Sequence, residues 1–314
     1  MRFTKLFFFV IIGSIALYTI FLSISDFTQV YDKLHNFKTD FLPIILLLTP
    51  LSWLVLFVRW KLLLKKSNII LPNNKNFELY LSGFALSVTP GKIGELLKSQ
   101  IYKEILGVPR RITIPLIIIE RLYNLVGLVL VLIVGISFFE ISLFIIIILI
   151  IFTTLIFILI SNKKFYYKFV ALFGKIKFTA NYSKYLLESY DVIKGGTRGI
   201  IVLYASGLSM IFWFIHCMIA YFIFLSFGID FLNFLNVISI YATSILFGAV
   251  SFLPEGIGIM ESSFVGLLTR HGVEISIAIP LIILVRIFTL WFNVIAGFIA
   301  LKLSGSLSIH PDNS

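Results

Sequence analysis

Charged side chains interrupt the long apolar segments of this 314-residue chain at only a few positions. A charge inside the bilayer is costly and usually serves function, so these side chains are the first candidates for a site. A guanidinium fork suits phosphate oxygens, and a carboxylate can pair with that guanidinium or take up a proton. We therefore expect an anion-binding site whose acids pair with its cations when it is empty. The candidate residues are Lys92, Glu95, Glu120, Arg121, Glu255, Glu261 and Arg286.

Two of the apolar segments are broken by proline and glycine close to these charges. Segment 77–105 contains TPGKIGE at 89–95, and segment 232–270 contains LPEGIG at 253–258. Proline removes a helical N–H and glycine adds flexibility, so each segment should form two short helices around an unwound centre. The N-terminus of each second helix would attract anions through its N–H groups and dipole. The residues of the breaks are Pro90, Gly91, Gly94, Pro254, Gly256 and Gly258.

The composition requires lipid as a solvent. Hydrophobic residues make up 59% of the chain and charged residues 13%, whereas an average globular domain carries about 25% charged residues. We therefore predict an all-α polytopic membrane protein with about six full transmembrane helices, each of about 20 residues, plus two re-entrant helical hairpins. The unbroken apolar segments lie at 6–24, 41–60, 112–138, 141–160, 200–227 and 277–302.

Other chemistries find little support in the sequence. Cys217 is the single cysteine, so neither a disulfide framework nor a cysteine metal site is expected. His216 is expected to be a packed polar residue, and no metal or cofactor is predicted. The tryptophans at positions 53, 60, 213 and 291 are expected to face lipid or to pack. No nucleic-acid partner is expected either, because the basic residues lie on no soluble fold.

The chain contains an internal repeat. At an offset of 164 residues, Pro90 and Gly94 fall on Pro254 and Gly258. At an offset of 165 residues, Gly107 falls on Gly272, Pro115 on Pro280 and Arg121 on Arg286. We interpret 1–303 as a single transmembrane domain with repeat one at about 1–138 and repeat two at about 141–303. Residues 304–314 form a polar tail.

Lysine and arginine placement predicts the topology. Basic residues put the N-terminus, loops 61–76 and 98–111, segment 161–199 and the C-terminus in the cytoplasm of a multi-pass cell-membrane protein. Segment 77–105 then enters and leaves on one face, and its first arm, at 1.5 Å per residue, is about 20 Å long. Each half makes an odd number of crossings, so the repeats are inverted. The alternative, in which both broken segments span, would place segment 161–199 outside.

Segment 161–199 is basic and also carries recurring aromatic and aliphatic residues. This mixture predicts one or two amphipathic helices on the membrane surface, where lysines meet headgroups and apolar side chains enter the acyl boundary. A flexible basic linker is the alternative.

These motifs resemble those of the lysylphosphatidylglycerol synthase transmembrane-region family, also called flippase-like membrane proteins. In that family the pattern is roughly TPG-basic-x-GE, then a Glu-Arg pair, then PxGxG followed by an acid. The resemblance covers essentially the whole chain. The matching residues are the stretch from Thr89 to Lys98, Glu120 and Arg121, the stretch from Pro254 to Gly258, Glu261 and Arg286.

The resemblance implies a role in moving a lipid-linked headgroup across the membrane. Two departures from the family qualify it. The soluble domain that transfers the amino acid is missing, so lysyltransferase activity, and enzyme activity in general, is not expected. Glu255 stands where the family often has a small or apolar residue, which changes the charge balance of the second break.

Our leading hypothesis is a flippase for an anionic phospholipid or a polyprenyl-phosphate-linked headgroup, with alternating access. Its partners would be membrane lipids with anionic headgroups. A second hypothesis is an intramembrane enzyme that acts on lipid phosphates with a glutamate as general base. A third is an accessory subunit of a lipid-modifying enzyme or a membrane glycosyltransferase. Transport, product formation or co-purification alone would distinguish the hypotheses.

Overall fold

The fold is helical throughout the part of the chain that can be described. The computed structural model describes residues 35, 37–87, 97–135, 142–175, 185–251 and 253–305, and these ranges contain no strand. The all-α class is therefore confirmed. The predicted first span at 6–24 lies outside the described residues, as does the first break with Lys92, Glu95, Pro90, Gly91 and Gly94.

The helices are numbered here in chain order over the described residues. They are α1 (Leu42–Lys66), α2 (Asn73–Ser82), α3 (Leu97–Leu106), α4 (Arg110–Gly135), α5 (Ser142–Ser161), α6 (Lys163–Phe173), α7 (Tyr190–Gly196), α8 (Ile200–Ser226), α9 (Phe234–Val250), α10 (Ile259–Arg270), α11 (Ile275–Arg286) and α12 (Phe292–Leu303).

Helices long and apolar enough to cross a bilayer match the unbroken apolar segments. Within the described ranges there are four, namely α1 with its preceding turn, α4, α8, and α11 continued into α12. A fifth would result if α5 and α6, which meet at a bend of 103°, were counted as one span. A multi-pass membrane protein is therefore confirmed, whereas six full spans and the inverted repeat remain predictions.

Long helix α8 lies at the centre and packs along both α1 and α4. The contact with α4 is close because Gly127 lies directly against the backbone of Ser209. Arg121 and Arg286, which the repeat aligns, lie on α4 and at the end of α11. Directly after Arg286 the helix widens into a π-helical turn, Ile287–Trp291. Such turns re-aim side chains and occur often at functional sites.

The second broken segment has the predicted form of two short helices. Helices α9 and α10 pack against each other and are joined by a break that contains a 3₁₀ turn, Pro254–Gly256. Gly256 and Gly258 have φ angles of 66° and 92°. A Cβ at Gly256 would lie 2.5 Å from Gly248 Cα, so glycine is required there for both conformation and space. Glu255 has a φ of 50°, which is unusual for a residue with a side chain.

The described parts of the first broken segment are also short helices. Helix α2 continues into a 3₁₀ turn, Gly83–Leu86, and α3 follows the undescribed break. Both α2 and this turn pack on α12. The contact is closest at Gly297, where an added Cβ would lie 2.2 Å from the backbone nitrogen of Ala85.

Helix α6 has the amphipathic character predicted for segment 161–199. It turns away from α5 at the 103° bend, and the Asn162 side chain caps its N-terminus by accepting from the backbone of Lys164. Its lysines are exposed, Tyr166 and Val170 are buried, and Phe169 is exposed. The described residues of this segment therefore include the helices α6 and α7, and their position on the membrane surface remains a prediction.

We expect Gly297→Ala to lower the thermal unfolding temperature of the detergent-solubilised protein. The added methyl group must displace the backbone of the 3₁₀ turn, and such overpacking typically costs about 1–3 kcal/mol. Gly266→Ala is the matched control, because that helical glycine faces open space. Its unfolding temperature should stay the same or rise. Equal effects of the two substitutions would contradict the close contact between α12 and the turn.

Candidate anion-binding site

A cavity of about 110 Å³ lies where the two halves of the chain meet. Side chains from α1, α2, α3, α4, α8, α9, the second break and the α11–α12 region line it. Predicted site residues from distant parts of the sequence therefore share one cavity. The charged lining residues among those described are Arg59, Lys98, Glu120, Arg121, Glu255 and Arg286.

Glu120 organises the side of the cavity that α1, α2 and α3 form. Its carboxylate accepts hydrogen bonds from Tyr80 Oη at 3.1 Å and Lys98 Nζ at 3.1 Å. Arg59 Nη2 is 3.5 Å from the same carboxylate. Because Glu120 is only 5% exposed, these partners supply the charge compensation that water would otherwise provide.

Arg59 holds an unused donor at this cavity. Its Nη1 donates to Asn124 Oδ1 and to Ser209 Oγ, each at 2.6 Å. Its Nε is buried and has no hydrogen-bond partner among the described residues. A buried donor without a partner costs about 1–3 kcal/mol. An anion that enters the cavity can therefore gain binding energy by accepting this hydrogen bond.

Lys98 is enclosed by aromatic rings as well as by Glu120. Its Nζ lies 3.7 Å from the ring centroid of Trp60 and 3.9 Å from that of Tyr80. The Glu120 carboxylate and the faces of the two rings therefore compensate the buried ammonium group. The assignment of Lys98 to a cytoplasmic loop is wrong, because α3 folds this side chain back into the protein.

The opposite side of the cavity uses a second buried acid. Glu261 Oε2 accepts from the backbone N–H of Gly258 at 2.7 Å and so caps α10. Its Oε1 accepts from Arg286 Nε at 2.6 Å. Arg286 Nη2 also donates to the backbone carbonyl of Glu255 at 2.7 Å. Arg286 therefore fixes the second break to the end of α11 while it lines the cavity.

Arg121 and Glu255 connect the two sides. Both line the cavity, and the Arg121 guanidinium interacts electrostatically with the Glu255 carboxylate. Among the described lining residues, four cations face two acids, and Glu261 is a third acid in contact with Arg286. The site therefore keeps an excess of positive charge, which favours an anion.

The structure brings together the predicted residues that it describes, which are Glu120, Arg121, Glu255, Glu261 and Arg286. Sequence analysis missed Arg59 and Lys98. Arg59 had a usable signal, because it is a charge within a long apolar helix. Lys98 also had a signal, because it lies in the apolar segment 77–105 and ends the motif that begins at Thr89, but the basic residues that follow led to its assignment to loop 98–111.

Several uncharged residues of the site were also assigned to packing or lipid contact. Trp60 is fully buried beneath Lys98, so the packing interpretation is confirmed for it. Trp53 and Trp213 line the cavity, a role that was not predicted. His216 is buried as predicted, but it also lines the cavity, with Nδ1 3.4 Å from Tyr241 Oη.

We expect Glu120→Gln to destabilise the protein strongly and to make its stability depend on added anion. Removing one partner of a buried ion pair typically costs about 3–5 kcal/mol, because the remaining charges stay buried. Inorganic phosphate should restore part of the lost unfolding temperature by compensating Arg59 and Lys98.

The control is Glu78→Gln, which breaks the partly exposed pair of Glu78 with Lys75. Such surface pairs contribute about 0–1 kcal/mol. A small, phosphate-independent effect in both variants would show that Glu120 does not balance buried cations.

Comparisons with known proteins agree with this architecture. A UPF0104 membrane protein of Methanothermobacter thermautotrophicus is 31% identical over 126 residues, which cover 40% of this chain and only 33% of that protein. A UPF0104 membrane protein of Methanocaldococcus jannaschii is 26% identical over 220 residues, which cover 69% of this chain and 92% of that one. A family model described as the lysylphosphatidylglycerol synthase TM region matches residues 9–297. Because this match covers most of its length, the chain belongs to the lysylphosphatidylglycerol synthase TM region family of multi-pass membrane proteins.

Proposed function

We propose that this protein moves a lipid with an anionic, phosphate-bearing headgroup across the membrane. The observation that carries the proposal is the charged cavity between the two halves, with its excess of cations and the unused Arg59 donor. A phospholipid and a polyprenyl phosphate share the chemistry that such a site recognises.

The charged lining of the cavity supports a headgroup as the ligand. Its volume is about 110 Å³, and six charged side chains among the described residues line it. This lining suits a phosphate group and disfavours a hydrocarbon chain, which cannot compensate buried charge. The chain of the lipid would therefore stay in the bilayer while the headgroup enters the cavity.

The buried acids occupy the hydrogen-bond donors that an entering anion would use. In the structure, Glu120 occupies donors of Arg59 and Lys98, and Glu261 occupies Arg286. An entering phosphate would take over some of these donors, and the acids would take them back when the phosphate leaves. Exchange between internal and external anions keeps the cations compensated at every stage, which avoids the cost of a bare buried charge.

The helix arrangement supports alternating access. Helices α2, α3, α9 and α10 are each shorter than the roughly 20 residues that a span needs, and Tyr80, Lys98 and Tyr241 from three of them line the cavity. We infer that they are re-entrant hairpins from opposite faces in two inverted repeats, as in transporters with broken helices. Rocking of one repeat against the other would then open the cavity to each side in turn.

The basic residues support the predicted orientation of this arrangement. Lys65 and Lys66 end α1, and the lysines of α6 are exposed beside apolar side chains. From the positive-inside rule we infer that these elements and both termini lie on the cytoplasmic face of the cell membrane.

We expect Arg121→Gln to reduce lipid transport about 10- to 100-fold, because a hydrogen bond to a charged group contributes roughly 1.5–3 kcal/mol. The measurement uses liposomes that contain the protein and a fluorescent phospholipid or polyprenyl phosphate. Exposure of each lipid to a membrane-impermeant quencher reports its transfer. Arg121 is preferred to Arg286, whose loss would also leave Glu261 buried without its partner.

Arg270→Gln is the matched control, since this exposed arginine lies at the end of α10 and does not line the cavity. Its transport should equal that of the wild type. If Arg121→Gln is folded and transports normally, the cavity is not the headgroup site. If the folded wild type transports neither lipid, the enzyme and accessory-subunit hypotheses replace transport.

A further inference from the structure

An apolar groove of about 460 Å³ lies between α1, α2 and α12, next to the charged cavity. Its walls include Phe77 and Leu81 from α2 and Phe292, Ile295 and Ile299 from α12. Ala296 and Ala300 also line it, and their small side chains leave the space between the larger ones open. Because most of its walls are apolar and belong to a crossing helix, the solvent available to fill it is lipid.

The groove and the cavity share one wall residue. Trp53 lines both of them. Its indole Nε1 donates to Asn293 Oδ1 at 2.6 Å, and Asn293 Nδ2 donates to the backbone carbonyl of Thr289 at 2.7 Å. Asn293 and Thr289 both line the cavity, whereas the adjacent Phe292 lines the groove. The Trp53–Asn293 hydrogen bond therefore lies at the boundary between an apolar groove and a charged cavity.

The length of the groove suits one hydrocarbon chain. From Phe292 to Leu303, α12 rises about 16 Å at about 1.5 Å per residue. One leaflet of the hydrocarbon core is about 15 Å thick, which is half of about 30 Å. The groove is therefore about as long as one leaflet of the hydrocarbon core is thick.

We propose that this groove holds a hydrocarbon chain of the transported lipid while its headgroup occupies the charged cavity, and that the Trp53–Asn293 pair is the gate between the two. The inference rests on the proposed transport function and adds the site for the chain. It commits to the lipid substrate as the occupant, because the groove shares the wall residue Trp53 with the cavity that would bind the phosphate.

The test fills the groove and leaves the cavity intact. Ala296→Trp places an indole between the walls, and transport of a fluorescent phospholipid should fall tenfold or more in liposomes. Binding of inorganic phosphate in the cavity, measured as a shift in unfolding temperature, should be unchanged. Leu203→Trp is the matched control, because Leu203 is 68% exposed on α8 and lies outside the groove. Its transport should equal that of the wild type.

A photoactivatable phospholipid with a diazirine in its chain identifies the occupant. In the wild type, crosslinks should map to α2 and α12, and an excess of the transported lipid should compete with them. Crosslinks that every lipid competes away equally would show ordinary surface lipid and would overturn the proposal.

The rate of lipid transfer tests the role of the Trp53–Asn293 pair as a gate. Trp53→Phe keeps an aromatic wall but removes the indole donor, so the transfer rate should rise about 2- to 12-fold, the range expected for one lost hydrogen bond. An unchanged or lower rate would remove the gate role.

Failures of the two proposals are distinguishable. If the wild type transports lipid and folded Ala296→Trp transports it equally well, the groove proposal is wrong and the transport function stands. If the wild type transports no lipid, both are wrong.

Discussion

The structure depends on how the charge of a carboxylate inside a crossing helix is compensated. Glu120 lies within α4, where neither water nor lipid can compensate its charge. Its partners come from three other elements, because Arg59 lies on α1, Tyr80 on α2 and Lys98 on α3. Removing any one of these elements would leave a buried charge exposed to an apolar environment. The short helices α2 and α3 are therefore held against α4 by charge as well as by packing.

The other half of the chain also compensates the charge of a buried carboxylate, with a different set of residues. Glu261 is fully buried, caps α10 and binds Arg286. Here a single acid joins the second break, the helix that follows it and the π-helical turn of the last span. Both halves thus stabilise a broken segment with a buried acid–cation pair beside the common cavity. The same pairs that hold the empty protein together are the donors that an anion would use.

Much of this arrangement follows from simple rules applied to the sequence. Long apolar runs predicted the crossing helices because a span needs about 20 apolar residues. The cost of buried charge singled out Glu120, Arg121 and Arg286, and the structure places all three at one cavity. Proline and glycine marked the second break, where Gly256 meets Gly248 at a distance that excludes a side chain.

The rest depends on tertiary contacts that local patterns do not encode. Lys98 follows a basic, loop-like pattern, and only the return of α3 towards α4 buries it. Tryptophan is a residue type that often contacts lipid. Trp53, however, lines the cavity, and Trp60 lies beneath Lys98. An aromatic ring is suited to both environments, so its residue type alone does not distinguish them. The partner of each such side chain is set by helices far away in the sequence.

The central claim is that one cavity serves both faces of the membrane, and accessibility of a single cysteine tests it most directly. Thr289 lines the cavity and is buried. Thr289→Cys is made in a Cys217→Ala background, which removes the single natural cysteine. A membrane-impermeant maleimide is then applied to right-side-out and to inside-out vesicles. The account predicts labelling from both faces, slowed in each case by a phosphate-bearing lipid, whereas labelling of the folded protein from only one face, or from neither, would contradict it.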